Sequence, residues 1–274
     1  MPAINTNTAA NSAVSYLNIN SAQESSALSK LSSGSRITSA SDDAAGLAIS
    51  TRISSDITTL QQAATNTSEA TAILQTADGG ASNISDILAR MKSLASESAS
   101  GTVTDSSRTY INSEFSQLTS EIDSIASGTR YSSQSLLDGS SVFASGVSVL
   151  VGSQSTDTIN IQLSSLTSAS LGVSTLDVSS QADANTALTA LDSAINTVSA
   201  ARANIGAQES RFNFSADSIS TQTQNLQAAN SAISDVDIAA EQATLSSAEV
   251  KTQAAVSAEA AANQMPQYLL KLLG

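Results

Sequence analysis

The sequence contains no cysteine, no histidine and no tryptophan, and only 3% of its 274 residues are aromatic. Without cysteine and histidine there is no thiolate nucleophile, no disulfide, no Cys/His zinc site and no imidazole acid–base group. No other catalytic constellation is visible, so we expect neither enzymatic activity nor a cofactor. Because aromatic side chains bury the most area per residue in compact cores, the composition favours thin helical layers over a thick globule.

Basic residues are also scarce, with 11 Lys and Arg against 24 Asp and Glu, which gives a formal net charge of -13. An acidic chain repels phosphate backbones, so we expect no nucleic-acid partner. No run of 18 apolar residues exists, so we expect no membrane span. The first residues lack the charged and apolar segments of a cleavable secretory signal. These absences leave either a cytosolic protein or one exported by a route that reads another signal.

The second half of the chain carries an unbroken seven-residue repeat of apolar side chains. Such a repeat predicts one long helix with a coiled-coil seam. At 1.5 Å per residue, residues 184–233 would extend over about 75 Å, which exceeds the diameter of a compact domain and predicts a helical rod. The predicted rod-seam residues are Leu191, Val198, Ile205, Phe212, Ile219, Leu226 and Ile233.

Two charged residues, Arg202 and Glu209, interrupt a second apolar row on this helix. We expect them to face an intramolecular partner and to fix helix register, with an ion pair between subunits as the alternative. Asp42 and Asp43 lie together at the predicted start of another helix. Two carboxylates there are explained by the positive end of the helix dipole, and we expect no metal site.

The first half of the chain predicts two further helices from apolar residues that alternate by four and three. The first is expected from Asp42 to about Ser100, with Ser41 as its N-cap and a possible kink at Gly79–Gly80. The second is expected to follow Asp105 and to end at Gly128. Alternation of period two at 147–151 and 158–163 then predicts a β-hairpin at the tip of the rod, and we expect 171–179 to be extended.

The two ends of the chain carry narrow apolar stripes that cannot hold a lone helix in water. One interpretation is that they pack on each other as a two-helix arm; we favour packing against copies of the same chain. Ser234 to Asp237 forms an [ST]-x-x-[DE] helix-start signal for the second stripe. The predicted polymer-interface residues are Val14, Leu17, Leu28, Leu31, Val236, Val250, Met265, Tyr268, Leu269, Leu272 and Leu273.

These patterns divide the chain into five segments and predict a mainly α fold, an elongated coiled-coil-like helical rod with a terminal helix pair and a small β-hairpin insert. Residues 1–40 form an N-terminal helix and linker of the inner layer, the name used here for the layer built by the two chain ends. Residues 41–140 form the N-terminal part of the rod. Residues 141–180 are the β-rich insert, 181–233 the C-terminal rod helix and 234–274 the C-terminal inner-layer helix.

Seven stretches of the sequence together resemble the bacterial flagellin family, in family order and at family spacing. The resemblance covers roughly residues 1–140 and 181–274, and the heavy use of Ser and Thr with few basic residues resembles the α-proteobacterial type. The stretches are INTN (4–7), LSSGSRITSASDDAAGLAISTRI (31–53), ILARMKSLA (87–95), LLDG (136–139), ARANIGAQESRF (201–212), AISDVDIAAEQA (232–243) and ANQMPQYLLKLLG (262–274).

The resemblance implies a secreted structural subunit of the bacterial flagellum, exported unfolded through the flagellar type III apparatus and polymerised helically through its terminal helices. It implies other flagellin subunits, the flagellar cap, hook-associated proteins and an export chaperone for the C-terminal segment as partners. The alternative within the same apparatus is a hook–filament junction protein. Residues Arg90, Leu94 and Glu97 match the region through which some flagellins engage a vertebrate innate receptor. Because Glu97 replaces the usual glutamine, we expect weak signalling or none.

Overall fold

The computed structural model describes the backbone of residues 6–273, together with the side chains of residues 6–265 and Gln267. The fold is mostly helical, with a pair of terminal helices and a small β-hairpin, which confirms the predicted fold class. In chain order the elements are α1 (Thr8–Ser33), α2 (Ala44–Ala99), α3 (Asp105–Gly128), β1 (Arg130–Tyr131), β2 (Gln134–Ser135), α4 (Val142–Ser145), β3 (Val147–Leu150), β4 (Thr158–Ile161), α5 (Gln181–Ser234) and α6 (Ile238–Leu273).

Contacts divide the chain into two compact units. The terminal unit comprises Met1–Ser55 and Asn225–Gly274, and the central unit comprises Asp56–Gln224. The five segments predicted from sequence stay a prediction; of their boundaries, residue 41 lies in the turn before α2 and Ser234 is the last residue of α5. In the described part of the chain, no helix is both long enough and apolar enough to cross a membrane.

The core of the central unit is built by apolar side chains of α2, α3, α5 and the segment between α3 and α5. On α5 the first four residues of the predicted seam lie in this core, because residues seven apart fall on one helix face. Phe115 of α3 and Phe212 of α5 are its largest fully buried side chains. Five seam residues are buried, and two that belong to the terminal unit, Leu226 and Ile233, are half-buried.

The helix α2 runs through the glycine pair without a break, and its two glycines have different surroundings. Gly79 is exposed, and an added methyl group there would meet nothing within 4 Å. Gly80 is buried, and an added methyl group would collide with the side chain of Thr129 and lie 2.9 Å from Leu137 Cδ1. Gly80 therefore allows the connection after α3 to approach α2 closely.

The predicted β-hairpin is present, with β3 and β4 antiparallel and Val147 opposite Ile161. A second, very short hairpin pairs β1 with β2. The extended conformation predicted for 171–179 is wrong, because this segment forms turns and bends without a strand. Side chains of α3 replace ladder bonds there: Asp123 accepts bonds from the N–H and hydroxyl of Ser168, and Asn112 accepts one from the Val178 N–H. These bonds let apolar side chains of the segment enter the core.

Candidate assembly surfaces

The two terminal helices, α1 and α6, pack against each other within one chain. They are antiparallel, because Asn7 at the start of α1 donates a hydrogen bond from Nδ2 to the Ala262 carbonyl at 2.8 Å. The same Asn7 caps α1 by accepting from the Ala10 N–H. Further along, Glu24 of α1 accepts a hydrogen bond from the Thr252 hydroxyl of α6. The two-helix arm considered from the sequence is therefore present.

The buried seam between α1 and α6 consists almost entirely of alanine. Small side chains allow the two backbones to approach closely but bury little apolar area, at about 0.8 kcal/mol for each buried methylene-sized group. Sequence reasoning missed this seam, since alanine is too common here to mark a stripe. Its members are Ala10, Ala13 and Ala27 on α1, and Leu245, Ala248, Ala255 and Ala262 on α6.

Most of the larger apolar side chains described on both helices lie outside this seam. Among the predicted interface residues, Leu28 and Val250 are 58% and 68% exposed, and Val14 and Met265 are exposed as well. Leu17, Leu31 and Val236 are half-buried. Tyr268, Leu269, Leu272 and Leu273 lie outside the residues whose side chains the structure describes. Four further exposed apolar residues extend the same surfaces beyond the prediction: Tyr16, Ile19, Ile238 and Val256.

The two linkers of the terminal unit are tied together by an isolated antiparallel bridge between Ser35 and Asp235. The Arg36 N–H donates to the Ser234 carbonyl at 2.7 Å, and the Val236 N–H donates to the Gly34 carbonyl at 3.1 Å. Gly34 ends α1 in the left-handed conformation, which glycine adopts without steric cost. The bridge therefore fixes how the chain leaves α1 and enters α6.

Aspartates start the helices that follow both linkers, in place of the serines predicted. Asp43 accepts from the Gly46 N–H at 2.8 Å, so the expected Ser41 cap of α2 is wrong by two residues. Asp237 accepts from the Ala239 and Ala240 N–H groups, whereas Ser234 belongs to α5. An aspartate next to the first turn reaches these unpaired N–H groups and also complements the helix dipole.

Asp42 holds the turn before α2 instead of contributing to the helix start. Its carboxylate accepts hydrogen bonds from the Ser39 and Thr38 N–H groups and from the Thr38 hydroxyl. The bonds from Ser39 and Thr38 lower the pKa of Asp42 below its ordinary value. Within the described residues no group of three or more acidic side chains is placed to hold a metal ion.

Arg202 has an intramolecular partner, as the sequence interpretation favoured. Its Nε and Nη2 donate to the two carboxylate oxygens of Asp78 on α2, at 2.9 and 3.2 Å. Donation of these hydrogen bonds to the Asp78 carboxylate raises the pKa of the Arg202 guanidinium. Glu209 is half-buried and has no ion-pair partner among the described residues. The Arg202–Asp78 pair thus sets the register of α5 against α2.

The residues that match the innate-receptor region are only partly accessible. Leu94 is 2% exposed and belongs to the central core. Arg90 donates from Nε and Nη2 to one carboxylate oxygen of Glu114 on α3, and Glu97 is exposed. The folded chain therefore uses Arg90 and Leu94 to pack α2 against its neighbours.

A buried arginine that the sequence did not single out anchors the turn between α2 and α3. The side chain of Arg108 is only 8% exposed. It donates to the carbonyls of Ser98 and Ser100, at 2.8 and 2.9 Å, and to the carboxylate of Asp105 at 2.7 Å. Its position three residues after Asp105 in the first turn of α3 is the signal that would have identified the pair.

Both ends of the chain match known protein-family models. The model described as "Bacterial flagellin N-terminal helical region" matches residues 4–142, and "Bacterial flagellin C-terminal helical region" matches residues 188–273. These matches contain all of α1 to α3, all of α6 and most of α5.

Individual relatives agree with the family models over almost the whole chain. A protein named flagellin from Halalkalibacterium halodurans is 36% identical over 272 residues, covering 98% of this chain and 99% of the relative. Flagellin from Listeria monocytogenes is 36% identical over 283 residues with the same coverage. The crystal structure of Bacillus cereus flagellin is 31% identical with a TM-score of 0.52, covering 61% of this chain and 94% of that one. The chain belongs to the bacterial flagellin family.

Proposed function

We propose that this chain is a structural subunit of the bacterial flagellar filament and that it polymerises through its terminal helices. One observation carries the proposal: α1 and α6 bury a seam made almost entirely of alanine and leave most of their larger described apolar side chains exposed. Exposed apolar surface on this scale marks an interaction site in a soluble protein. Membership of the flagellin family identifies the partner as further copies of the same chain.

Polymerisation follows from the weakness of the helix pair by itself. The alanine seam gains little by burial, whereas ordering each residue costs about 1–2 kcal/mol of backbone entropy. Neighbouring copies that cover Val14, Leu28, Val250 and Met265 would supply the missing apolar burial. A contact between two different surfaces of the same chain generates an open helical filament when its rotation does not close into a ring.

Several finer features of the proposal rest on family resemblance. The subunit is exported unfolded and lies outside the cell, and its partners are the flagellar cap, the hook-associated proteins and an export chaperone for residues 234–274. A structural role with no enzymatic activity follows from the same family. The α-proteobacterial type stays a prediction from composition, and no observation favours the hook–filament junction alternative.

The proposal is tested by polymerisation of purified chain on filament seeds, followed by light scattering and electron microscopy. The wild type is expected to form long filaments. A chain without residues 263–274 is expected to form none, and so is the double variant Leu28→Ser/Val250→Ser, because serine removes the exposed apolar groups. Val142→Ser is the matched control, since Val142 is also exposed but belongs to the central unit.

Two outcomes would contradict the proposal. Normal filaments from the truncated chain would show that the terminal apolar side chains are not needed. Growth that stops after a few subunits in the wild type would favour the junction protein over the filament subunit.

A further inference from the structure

The central unit carries one exposed phenylalanine in a chain that has only four. Phe115, Phe143 and Phe212 are buried, whereas Phe214 is 73% exposed. Phe214 comes two residues after the buried Phe212, which places it about 200° further round α5 at 3.6 residues per turn. It therefore points away from the core of its own unit.

A cation lies beside this ring. Arg211 is three residues before Phe214, so the two side chains share a face of α5. Arg211 is exposed, and no described residue of its own chain forms an ion pair with it. The central unit contains sixteen acidic and only six basic residues, and four of those six form ion pairs in the described chain. An aromatic ring with an unpaired arginine is the composition of an interface hot spot.

A groove of matching chemistry lies elsewhere on the same unit, between α2 and β3. It has a volume of about 240 Å³ and an apolar lining from Ala70, Ile73, Val149 and Leu150. An apolar cavity of about 150 Å³ is large enough for a benzene ring. Asn66 keeps the groove formed, because its side chain donates to the Leu150 carbonyl at 3.2 Å.

The groove also carries the charge that complements Arg211. Glu69 lines it, is exposed, and has no ion-pair partner among the described residues. Glu69 lies four residues before Ile73, so its carboxylate and the apolar floor are on the same face of α2. The ring and the arginine of α5 are thus complementary to the apolar groove between α2 and β3 and to the Glu69 carboxylate beside it.

We propose that Phe214 of one copy inserts into the groove between α2 and β3 of a second copy, with Arg211 pairing with Glu69 across the contact. This inference rests on the proposed function, because it assigns a second contact between subunits in addition to that of the terminal helices. The two surfaces are different and belong to the same unit, so each copy offers both. Such a head-to-tail contact extends without closing into a pair.

The first test measures the critical concentration for filament growth of Phe214→Ala. The alanine variant is expected to raise it at least about tenfold, since truncating a central aromatic anchor in an interface costs that much or more. Tyr110→Ala is the matched control, because Tyr110 is 77% exposed on α3 of the same unit. Its critical concentration is expected to stay within about twofold of the wild type.

The second test reverses the charges. Arg211→Glu and Glu69→Arg alone each place like charges together and should raise the critical concentration several-fold. The double variant Arg211→Glu/Glu69→Arg restores opposite charges and should return it towards the wild-type value. The four positions substituted in these two tests, Phe214, Tyr110, Arg211 and Glu69, are all exposed. The thermal unfolding of each variant monomer should therefore match that of the wild type.

The third test uses the absence of cysteine from the chain. The variant Glu69→Cys/Arg211→Cys is expected to give a ladder of covalent oligomers when its filaments are treated with a bis-maleimide that spans about 10 Å, because an Arg–Glu pair holds its Cα atoms further apart than a disulfide can bridge. Each single cysteine variant should give no ladder. If Phe214→Ala forms filaments normally and the double-cysteine variant gives no ladder, the contact is overturned and the proposed function stays intact. A wild-type chain that forms no filaments would overturn the proposed function and this contact with it.

Discussion

The two adjacent glycines in α2 should respond in opposite ways to the same substitution. Gly79 is exposed and has open space where a side chain would be, whereas Gly80 is buried against Thr129 and Leu137. The perturbation is Gly79→Ala in one variant and Gly80→Ala in the other. Both substitutions add one methyl group to the same helix, so each variant is the control for the other.

The expected magnitudes follow from these surroundings. Replacing an interior helical glycine by alanine stabilises a helix by about 0.8–1.0 kcal/mol, and Gly79→Ala should gain this amount in full. Gly80→Ala gains the same amount, but overpacking costs about 1–3 kcal/mol. The added methyl group would displace the Thr129 side chain, whose hydroxyl donates to the Ile125 carbonyl at 2.8 Å, at a further cost of about 1 kcal/mol. We expect Gly80→Ala to destabilise by about 1–2 kcal/mol.

Urea unfolding of the monomer, followed by far-UV circular dichroism, measures both changes. The difference in unfolding free energy between the two variants should be about 2–3 kcal/mol, well above the error of linear extrapolation at a constant slope. Two results would refute the reasoning. Stabilisation by Gly80→Ala would mean that Thr129 and Leu137 do not approach α2 as described. Destabilisation by Gly79→Ala would mean that the pair is needed for a kink.

Two further predictions concern buried hydrogen bonds and acid stability. Arg108→Met keeps most of the side-chain volume but leaves the buried Ser98 carbonyl without its Arg108 donor, whereas the Ser100 carbonyl keeps the Val103 N–H. Urea unfolding should therefore show a loss of about 1–3 kcal/mol, the cost of one unsatisfied buried group. Arg130→Met, which removes one bond to the exposed Ser127 carbonyl, is the control and should cost under about 1 kcal/mol. A loss of similar size in both variants would contradict the buried role. Hydrogen bonds from Ser140 and Ser179 lower the pKa values of Asp138 and Asp177. The stability that these two carboxylates contribute is therefore complete above the unfolded pKa of about 3.9 and is lost as pH falls through the lower folded values. Asp138→Asn/Asp177→Asn should therefore be less stable than the wild type at pH 6 and approach it near pH 2; a stability gap that stays constant over this range would contradict the assignment.

The long helices and the hairpin could be predicted because their signals are local and periodic. A seven-residue repeat from Leu191 onwards can place its side chains together only on a helix. The alternation in Val147–Leu150 and Thr158–Ile161, separated by a turn-rich segment, specifies two strands with one buried face. Capping was less predictable, because Ser41, Asp42 and Asp43 are all good N-cap residues and only the backbone path selects Asp43.

The features that could not be predicted from the sequence depend on residues that are far apart along the chain. The sequence alone predicts a possible kink at Gly80, because it does not show that Thr129 lies against this glycine. The bridge between Ser35 and Asp235 uses backbone groups, which carry no side-chain signal. The apolar residues at 171–179 predict an extended segment, but the chain turns there. Asp123 and Asn112 of α3 accept hydrogen bonds from the backbone N–H groups of Ser168 and Val178 in place of a neighbouring strand.

The polymer-interface residues stay a prediction, but the structure shows how the terminal helix pair closes without burying most of them. Val14, Leu28 and Val250 were chosen as stripes that needed a cover, and the structure leaves them exposed because alanines between them close the helix pair. Hydrophobic periodicity alone selects the largest apolar residues as the intramolecular face. In a chain rich in alanine, the closest packing of two helices uses the smallest side chains instead.

The distribution of charge supports a division of labour between the two units. The terminal unit has eight acidic and five basic residues, whereas the central unit has sixteen and six. Helices that become surrounded by copies of themselves cannot carry a large excess of one sign, because like charges repel strongly once water is removed. In the proposed filament the larger excess of negative charge therefore lies in the central unit, where it favours solubility. Against that acidic background, the unpaired Arg211 beside Phe214 is the position at which a second copy of the central unit would be attracted.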